Sequence, residues 1–204
     1  MSINNPKDRK ELLIKAPLLS EIHKEYGAPP SWSRPPDFTS LVKIIIEQQV
    51  SISSAQAHYQ RLSDYTGEVK PENLLSLSDL EFRECHISRQ KRDYLRALSQ
   101  AILNRTLVIE KLPDIPEAES KKQLLAIKGI GNWTADIYLM LCLQKADIFP
   151  IGDIAVRSAL KELNGMDDPC EMMALAEEWR PLRSLATFYL WHYYLEKRGR
   201  KLPW

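Results

Sequence analysis

Residues 124–153 read LLAIKGIGNWTADIYLMLCLQKADIFPIGD, and this stretch decides how the rest of the chain is interpreted. Two short helical patterns are joined by Lys128, Gly129, Ile130 and Gly131, so that two glycines flank one apolar residue. Glycine reaches backbone conformations that other residues avoid, so the pattern predicts a hairpin too tight for side chains with a Cβ. The spacing of residues 120 and 123 (Ser and Gln) is that of a capping box ahead of the first helix, and residues 133–143 supply the second.

Such a hairpin predicts a phosphate-binding site. The backbone N–H groups of the hairpin and of the following helix N-terminus would point outward together, an arrangement that holds a phosphate without reading a base. Asp153 follows the second helix and directly precedes an apolar-periodic segment, so we expect it to be the N-cap of the next helix.

The order of hairpin, aspartate and final helix resembles the helix-hairpin-helix (HhH-GPD) DNA glycosylase superfamily, in which a loop with an essential aspartate follows the hairpin. Residues 129–135, GIGNWTA, most resemble the alkylbase branch, of the 3-methyladenine DNA glycosylase II type. The segment WRPLRSLATFYLWHYYLEKR (residues 179–198) also resembles that branch, whose final helix opens on a tryptophan-basic-proline motif and carries a later tryptophan, here Trp191. The resemblance implies an all-α, two-lobed fold with the active-site cleft between the lobes, and no cofactor.

The remaining segments also read as helical, since none shows strand alternation over a useful length. Helices are predicted over residues 10–26, 38–47 and 154–164, from Ser53 onward, after Ser78 and Ser88, and from Asp168 to about Trp179. The Pro-rich connector 28–36 marks a lobe boundary, and the predicted lobes are residues 36–145 and residues 1–35 with 146–204. His86 takes the place of a glycine that is usual in the family, and histidine tolerates a left-handed backbone better than a β-branched residue does.

Composition and charge limit the function classes. With 204 residues and 44% apolar content, the chain can bury a core in one domain or two small lobes. No apolar run reaches the roughly 18 residues of a membrane span, and the start MSINNPKDRK does not read as a signal peptide. We therefore expect a monomer in the cytoplasm or on the chromosome, with no membrane partner.

The net charge of +1 is uninformative, but six basic residues and one acidic residue lie between position 180 and the end, whereas positions 162–178 carry acids and no lysine or arginine. This polarity fits a DNA-facing side and equally fits ordinary solvated helix faces.

Asp153 is the candidate catalytic residue. Breaking an N-glycosidic bond builds positive charge on the sugar, so the site needs a fixed anion near C1′ and a pocket for the extruded base. The backbone amides and macrodipole of a helix N-terminus favour a negative charge there. The alternative is that Asp153 serves only as an N-cap.

Aromatic residues are the candidates for the base pocket, because electron-rich rings attract a cationic alkylated purine such as 3-methyladenine or 7-methylguanine. The resemblance places Trp133 and Trp191 in that pocket. Where the family's type protein has a tyrosine four residues after the first tryptophan, this chain has Ile137, followed by Tyr138, which leaves the substrate range open. The alternative for every aromatic residue is core packing, which is the interpretation for Trp32, Trp179 and Trp204.

Seven residues are assigned to DNA binding. The resemblance places a residue of the turn after the helix predicted over residues 38–47 in the gap left by the flipped nucleotide, and the alternative for this turn is a polar loop. The resemblance also implies a monovalent cation on the carbonyl side of the hairpin, with no metal bound by side chains. The assigned residues are Gln48, Gln49, Lys128, Gly129, Gly131, Asn132 and Arg157.

Bifunctional relatives place a lysine at the position of Trp133 and use its amine to cut the strand. This chain has none there, so water is the expected nucleophile and an abasic site in double-stranded DNA the product. Three widely spaced cysteines and four histidines without ligand spacing predict neither an iron–sulfur cluster nor a metal site. Two alternatives remain: a glycosylase for hypoxanthine, uracil or a mismatched base, and a non-catalytic DNA-binding module.

Overall fold

The computed structural model describes residues 3–200, and every regular element in that range is a helix. The all-α class expected from the sequence is therefore confirmed for this part of the chain. The helices are α1 (Pro6–Lys15), α2 (Pro17–Tyr26), α3 (Phe38–Glu47), α4 (Ile52–Thr66), α5 (Pro71–Ser76), α6 (Asp79–Glu84), α7 (Arg89–Leu103), a 3₁₀ helix (Ile109–Asp114), α8 (Glu117–Leu125), α9 (Asn132–Leu141), α10 (Ile154–Asn164), α11 (Pro169–Glu177) and α12 (Arg183–Glu196). Between residues 3 and 200, no helix is both long and apolar enough to cross a membrane.

The chain divides into two compact units. The central unit is residues 34–138, and the terminal unit comprises the described residues 3–33 and 139–200. The lobes drawn from the sequence, 36–145 and 1–35 with 146–204, and the cleft expected between them, stay predictions.

The core of the central unit is built around α3 and α7. α3 begins after the cap residue Asp37, whose side chain accepts from the Ser40 N–H at 2.8 Å, and its apolar residues from Leu41 to Ile46 are fully buried. α7 packs on α3, α5 and α6 and begins at Ser88, which caps the Lys91 N–H. His86, in the turn before α7, has a φ of +60°, as expected for a residue at a glycine position.

The core of the terminal unit is built around α12. Twelve of its fourteen residues are buried, and it packs on α10 and α2. Trp179, directly before the turn into α12, and Trp32 are both buried, as predicted, while Trp204 lies outside the described residues. Asp153 directly precedes α10 and Trp191 lies in α12, so the placement of these two residues depends on the packing of α10 on α12.

Three local predictions were wrong in instructive ways. The predicted helix over residues 10–26 is two helices, because Pro17 cannot continue the first and starts the second. Ser120 does not cap α8, which begins three residues earlier; its hydroxyl is buried and donates to the Leu112 carbonyl at 2.9 Å. The last helix begins at Arg183 and not at the preceding Arg180-Pro181 pair.

The two glycines of the hairpin differ in their steric surroundings. Gly129 has a φ of +93°, and a Cβ placed on it would lie 2.1 Å from Cγ of Tyr94 in α7. Gly131 has no left-handed backbone, and a Cβ there would meet no atom of residues 3–200 within 4 Å. The prediction that the hairpin excludes a Cβ at both glycines therefore holds at Gly129 and is wrong at Gly131.

This difference predicts opposite outcomes for one substitution at two positions. Gly129→Ser should lower the free energy of unfolding by about 2 kcal/mol or more, because the new side chain overlaps Tyr94 and the backbone is left-handed. Gly131→Ser, the matched control, should change it by less than about 0.5 kcal/mol, since serine is a favoured N-cap. Urea unfolding measures both. Equal destabilisation by the two variants would contradict the packing of Tyr94 on Gly129.

Candidate active site and DNA-binding hairpin

Asp153 occupies the N-cap of α10, as the sequence predicts. Its Oδ1 accepts from the backbone N–H groups of Ala155 at 2.9 Å and Val156 at 3.1 Å. Its own N–H donates to the Pro150 carbonyl at 2.8 Å, which closes the turn that leads into the helix. The residue is 9% exposed. A nearly buried carboxylate is thus held by amides at the positive end of a helix dipole.

A third donor reaches the same oxygen. The indole N–H of Trp191, in α12, lies 3.1 Å from Oδ1 of Asp153. The indole ring stacks on Phe188, with ring centroids 5.8 Å apart and an interplanar angle of 20°, and meets the edge of Trp32 at 6.0 Å. Because the ring is fixed by these neighbours, its N–H fixes the carboxylate in turn.

The loop that leads to Asp153 is anchored on the start of α12. The guanidinium of Arg183 donates to both carboxylate oxygens of Asp147, from Nε at 2.8 Å and from Nη2 at 3.0 Å. The hydroxyl of Ser184 donates to the Lys145 carbonyl at 2.7 Å and accepts from the Ile148 N–H at 3.0 Å. α12 therefore holds both the loop and, through Trp191, the aspartate that follows it.

Acidic partners complete the Arg183 cluster. Arg183 donates from Nη1 to Glu177 at 2.8 Å, and the more exposed Arg180 donates to both Glu177 and Asp147. The hydrogen bond from Arg180, with the nearby charge of Arg183, holds the pKa of Glu177 below its usual range.

The other predicted pocket residues lie on α9. Trp133, its second residue, is half-buried. Ile137 is 3% exposed and Tyr138 is fully buried, so either would reach a base only after a rearrangement. Trp191 is also nearly buried, and its ring packs against other aromatic rings. The assignment of these four residues to the pocket stays a prediction.

The hairpin presents its polar residues to solvent. Lys128, Gly131 and Asn132 are exposed, whereas the intervening Ile130 is buried and its N–H donates to the Ile127 carbonyl at 3.0 Å. The first turn of α9 follows directly, and a helix N-terminus offers N–H groups to an anion. Arg157, in α10, is exposed as well.

The two glutamines after α3 have different environments. The side-chain amide of Gln48 donates to the Gly129 carbonyl and to Oγ1 of Thr134, both at 2.9 Å. Gln49 is exposed and has a φ of +55°. Of the two candidates for filling a duplex gap, only Gln49 therefore presents its side chain to solvent.

Sequence reasoning missed several residues of this architecture. Thr134 was noticed only as part of the hairpin motif, and Asp147, Arg183 and Ser184 were not singled out. Their partners lie 36 to 86 positions away in the sequence. Only the Arg-Pro-Leu-Arg pattern at the start of α12 gave a signal, and it did not identify the partner.

Comparisons with known proteins agree with this architecture. The family model described as HhH-GPD superfamily base excision DNA repair protein matches residues 42–182. YfjP of Bacillus subtilis is 32% identical over 184 residues, which are 85% of this chain and 64% of that protein. The DNA-3-methyladenine glycosylase of Bacillus subtilis is 30% identical over 123 residues, 59% of this chain and 41% of that enzyme. The chain thus spans less than two thirds of the length of these two relatives.

Among solved structures, the chain is similar to the DNA-3-methyladenine glycosidase of Bacillus halodurans. The TM-score is 0.78 at 29% sequence identity, and the match covers 98% of this chain and 94% of that protein. The helical fold expected from the sequence is therefore one that a solved glycosidase adopts over nearly its whole length.

The anchoring of the loop by Arg183 leads to a stability prediction. Arg183→Lys keeps the charge but loses the bidentate hydrogen bonding to the Asp147 carboxylate, so the free energy of unfolding should fall by about 1 to 3 kcal/mol. Arg180→Lys is the matched control, because its side chain is 51% exposed and should matter by less than about 0.5 kcal/mol. Urea unfolding of both variants tests this, and an unchanged stability in Arg183→Lys would contradict it.

Proposed function

We propose that this chain, which belongs to the HhH-GPD superfamily of base excision DNA repair proteins, is a DNA glycosylase that flips and excises alkylated purines such as 3-methyladenine and 7-methylguanine. It hydrolyses the N-glycosidic bond and leaves an abasic site. The observation that carries the proposal is the carboxylate of Asp153, on whose Oδ1 three N–H donors converge. The names of the Bacillus subtilis glycosylase and the Bacillus halodurans glycosidase support the alkylated-base substrate class.

Asp153 is the electrostatic partner of the reaction. As the base departs, positive charge develops on the sugar, and a carboxylate that is already in place stabilises that charge without reorganising. The amides of α10 and the indole of Trp191 hold the carboxylate in one orientation. The same carboxylate guides the attacking water.

The alkylated base is itself cationic and leaves easily, so the pocket needs mainly to hold it. Aromatic faces attract such a base by about 0.5 to 2 kcal/mol each, by analogy with cation–π pairs. Trp133, half-buried on α9, offers a face for this role. Trp191 contributes chiefly through its hydrogen bond to Asp153, because packing already covers most of its ring. Ile137 and Tyr138 are buried, so on this proposal they act indirectly, by supporting the helix that carries Trp133.

Water is the nucleophile, and the strand stays intact. A glycosylase that also cuts the strand needs an amine to form a Schiff base with the sugar. The side chain at position 133 is an indole, which cannot form one.

The partner is double-stranded DNA containing damaged bases. The hairpin residues Lys128, Gly129, Gly131 and Asn132 hold a backbone phosphate, Gln49 enters the gap left by the extruded nucleotide, and the exposed Arg157 adds a contact near Asp153. A monovalent cation would lie on the carbonyl side of the hairpin, where the Gly129 carbonyl already accepts from Gln48. The chain acts as a monomer on chromosomal DNA.

The decisive experiment incubates the chain with alkylated genomic DNA and separates the released bases by chromatography. We expect free 3-methyladenine and 7-methylguanine, with strand breaks appearing only after heat or alkali. Release of hypoxanthine or uracil alone, from duplexes that carry those bases, would assign a different lesion. Binding without release from any of these substrates would assign a non-catalytic module, and prompt strand cleavage would contradict the hydrolytic mechanism.

Asp153→Asn tests the role of the charge. Asparagine caps a helix about as well as aspartate and keeps an oxygen for the three donors, so stability and DNA affinity should persist. Base release should slow at least about tenfold, a lenient expectation given the 10² to 10³ typical of a lost electrostatic partner. The rate is measured by single-turnover release of 3-methyladenine, and release at the wild-type rate would rule out this role of Asp153.

Trp191→Phe separates two roles of the indole. Phenylalanine keeps an aromatic face but has no N–H, so release should slow by roughly threefold to tenfold if Trp191 acts by orienting Asp153. In that case the variant with both Trp191→Phe and Asp153→Asn should be no slower than Asp153→Asn alone. Rate losses that multiply would show instead that Trp191 acts on the base independently of Asp153.

A further inference from the structure

The end of α3 is held more firmly than a helix end needs. The ammonium of Lys91, in α7, donates to the Ile46 carbonyl at 2.6 Å although only 9% of the residue is exposed. Burial lowers the pKa of Lys91. The adjacent Glu47 accepts from both terminal guanidinium nitrogens of the buried Arg34, from Nη2 at 2.7 Å and from Nη1 at 3.1 Å. Positive charge at a helix C-terminus is favourable, and a forked Arg–carboxylate pair is geometrically specific.

The next residue, Gln48, ties this helix end to the hairpin. Its one amide nitrogen has two hydrogens, and both are used, on the Gly129 carbonyl and on the hydroxyl of Thr134. A carbonyl can only accept, so the amide nitrogen and not the oxygen faces Gly129. Thr134 is 2% exposed, so this connection lies inside the central unit.

α7 completes the connection from another direction. Tyr94 packs on Gly129 so closely that no Cβ fits. Lys91, one turn earlier in α7, is the residue whose ammonium donates to the Ile46 carbonyl. The end of α3, the hairpin and α7 therefore form a closed ring of contacts. Movement of the hairpin relative to the end of α3 would break at least one of them.

Gln49 is the first residue beyond this ring. It is exposed and its φ is +55°, a conformation that a residue other than glycine adopts at a cost when its surroundings impose it. Residues 46, 47 and 48 are each held by a different segment, so the direction in which Gln49 leaves the helix is set by the ring.

We infer that Gln48 is a positioning residue that fixes Gln49 relative to the phosphate-binding hairpin. This inference rests on the proposed function. When the hairpin holds a phosphate, the ring determines where along the duplex Gln49 enters, so that base extrusion and phosphate binding are in register. A displacement of about 1 Å at such a contact can lower a rate considerably.

The test uses variants that break the connection without adding charge. Gln48→Met has a side chain of similar length but no donor. Thr134→Val removes one acceptor and keeps the shape, and Thr134→Ser, the matched control, keeps the hydroxyl. Gly131→Ser alters phosphate binding itself, because the serine hydroxyl competes with the phosphate for the backbone N–H groups at the start of α9.

Two duplexes separate positioning from general damage to the fold. Each carries one 7-methylguanine flanked by 2-aminopurine, whose fluorescence rises when the stack opens; in one the lesion is paired, and in the other it is unpaired in a bulge. Binding to undamaged duplex is measured by fluorescence anisotropy.

For Gln48→Met we expect the affinity for undamaged duplex to stay within about twofold of wild type. On the duplex with the paired lesion, the fluorescence change and the excision rate should both be about tenfold lower than for wild type. Excision from the bulge should recover to within about threefold, since less extrusion is needed there. Thr134→Val should shift in the same direction and Thr134→Ser should resemble wild type. Gly131→Ser should weaken binding to every duplex alike.

Equal slowing on both lesion duplexes, or none on either, would overturn the positioning role. If the Gln48→Met variant does not fold, the comparison of Thr134→Val with Thr134→Ser on the same two duplexes tests the positioning role instead. If the wild type excises no alkylated base, the proposed function fails, and the fluorescence change alone then decides whether Gln48 positions Gln49.

Discussion

The hydrogen bond from the Trp191 indole to Oδ1 of Asp153 is the interaction on which the candidate chemistry depends. It joins α12, the most buried helix of the terminal unit, to the first turn of α10. The packing of α12 therefore restrains the position of a single carboxylate oxygen. The same helix anchors the preceding loop through Arg183 and Ser184. A carboxylate supported in this way has lost its conformational freedom during folding, and that loss is what makes an electrostatic partner effective at the moment of reaction.

The hairpin applies a similar principle to a backbone segment. Its conformation is set from inside by the contact between Tyr94 and Gly129 and by the amide of Gln48, while Lys128, Gly131 and Asn132 remain exposed. The glycine pattern therefore has two physical origins. Gly129 is required by the packing of Tyr94, whereas Gly131 lies at the N-cap of α9, where glycine is tolerated and no atom of residues 3–200 would exclude a side chain.

Sequence reasoning succeeded where the signal is local. The bounds of α3, the helix starts at Ser78 and Asp168 and the N-cap at Asp153 were predicted, because a cap and an apolar periodicity lie within a few residues of each other. It failed at Ser120, whose spacing to Gln123 imitates a capping box although its hydroxyl bonds to Leu112. It also could not predict the contact of Gln48 with the hairpin, since the two acceptors lie 81 and 86 residues further along the chain. No residue near Gln48 in the sequence indicates either acceptor.

The segment around Gln49 departs from local preference at each step. An acidic residue ends α3 where the dipole disfavours it, a lysine is buried beside it, and a glutamine adopts a left-handed backbone. Each departure is compensated by a specific contact: Arg34 for Glu47, the Ile46 carbonyl for Lys91, and the ring of contacts for Gln49. Three compensated departures at one helix end are difficult to explain by stability alone, because ordinary helix-forming residues would need none of these contacts. They are expected where a side chain must leave the protein in a defined direction, and we infer that this side chain is that of Gln49.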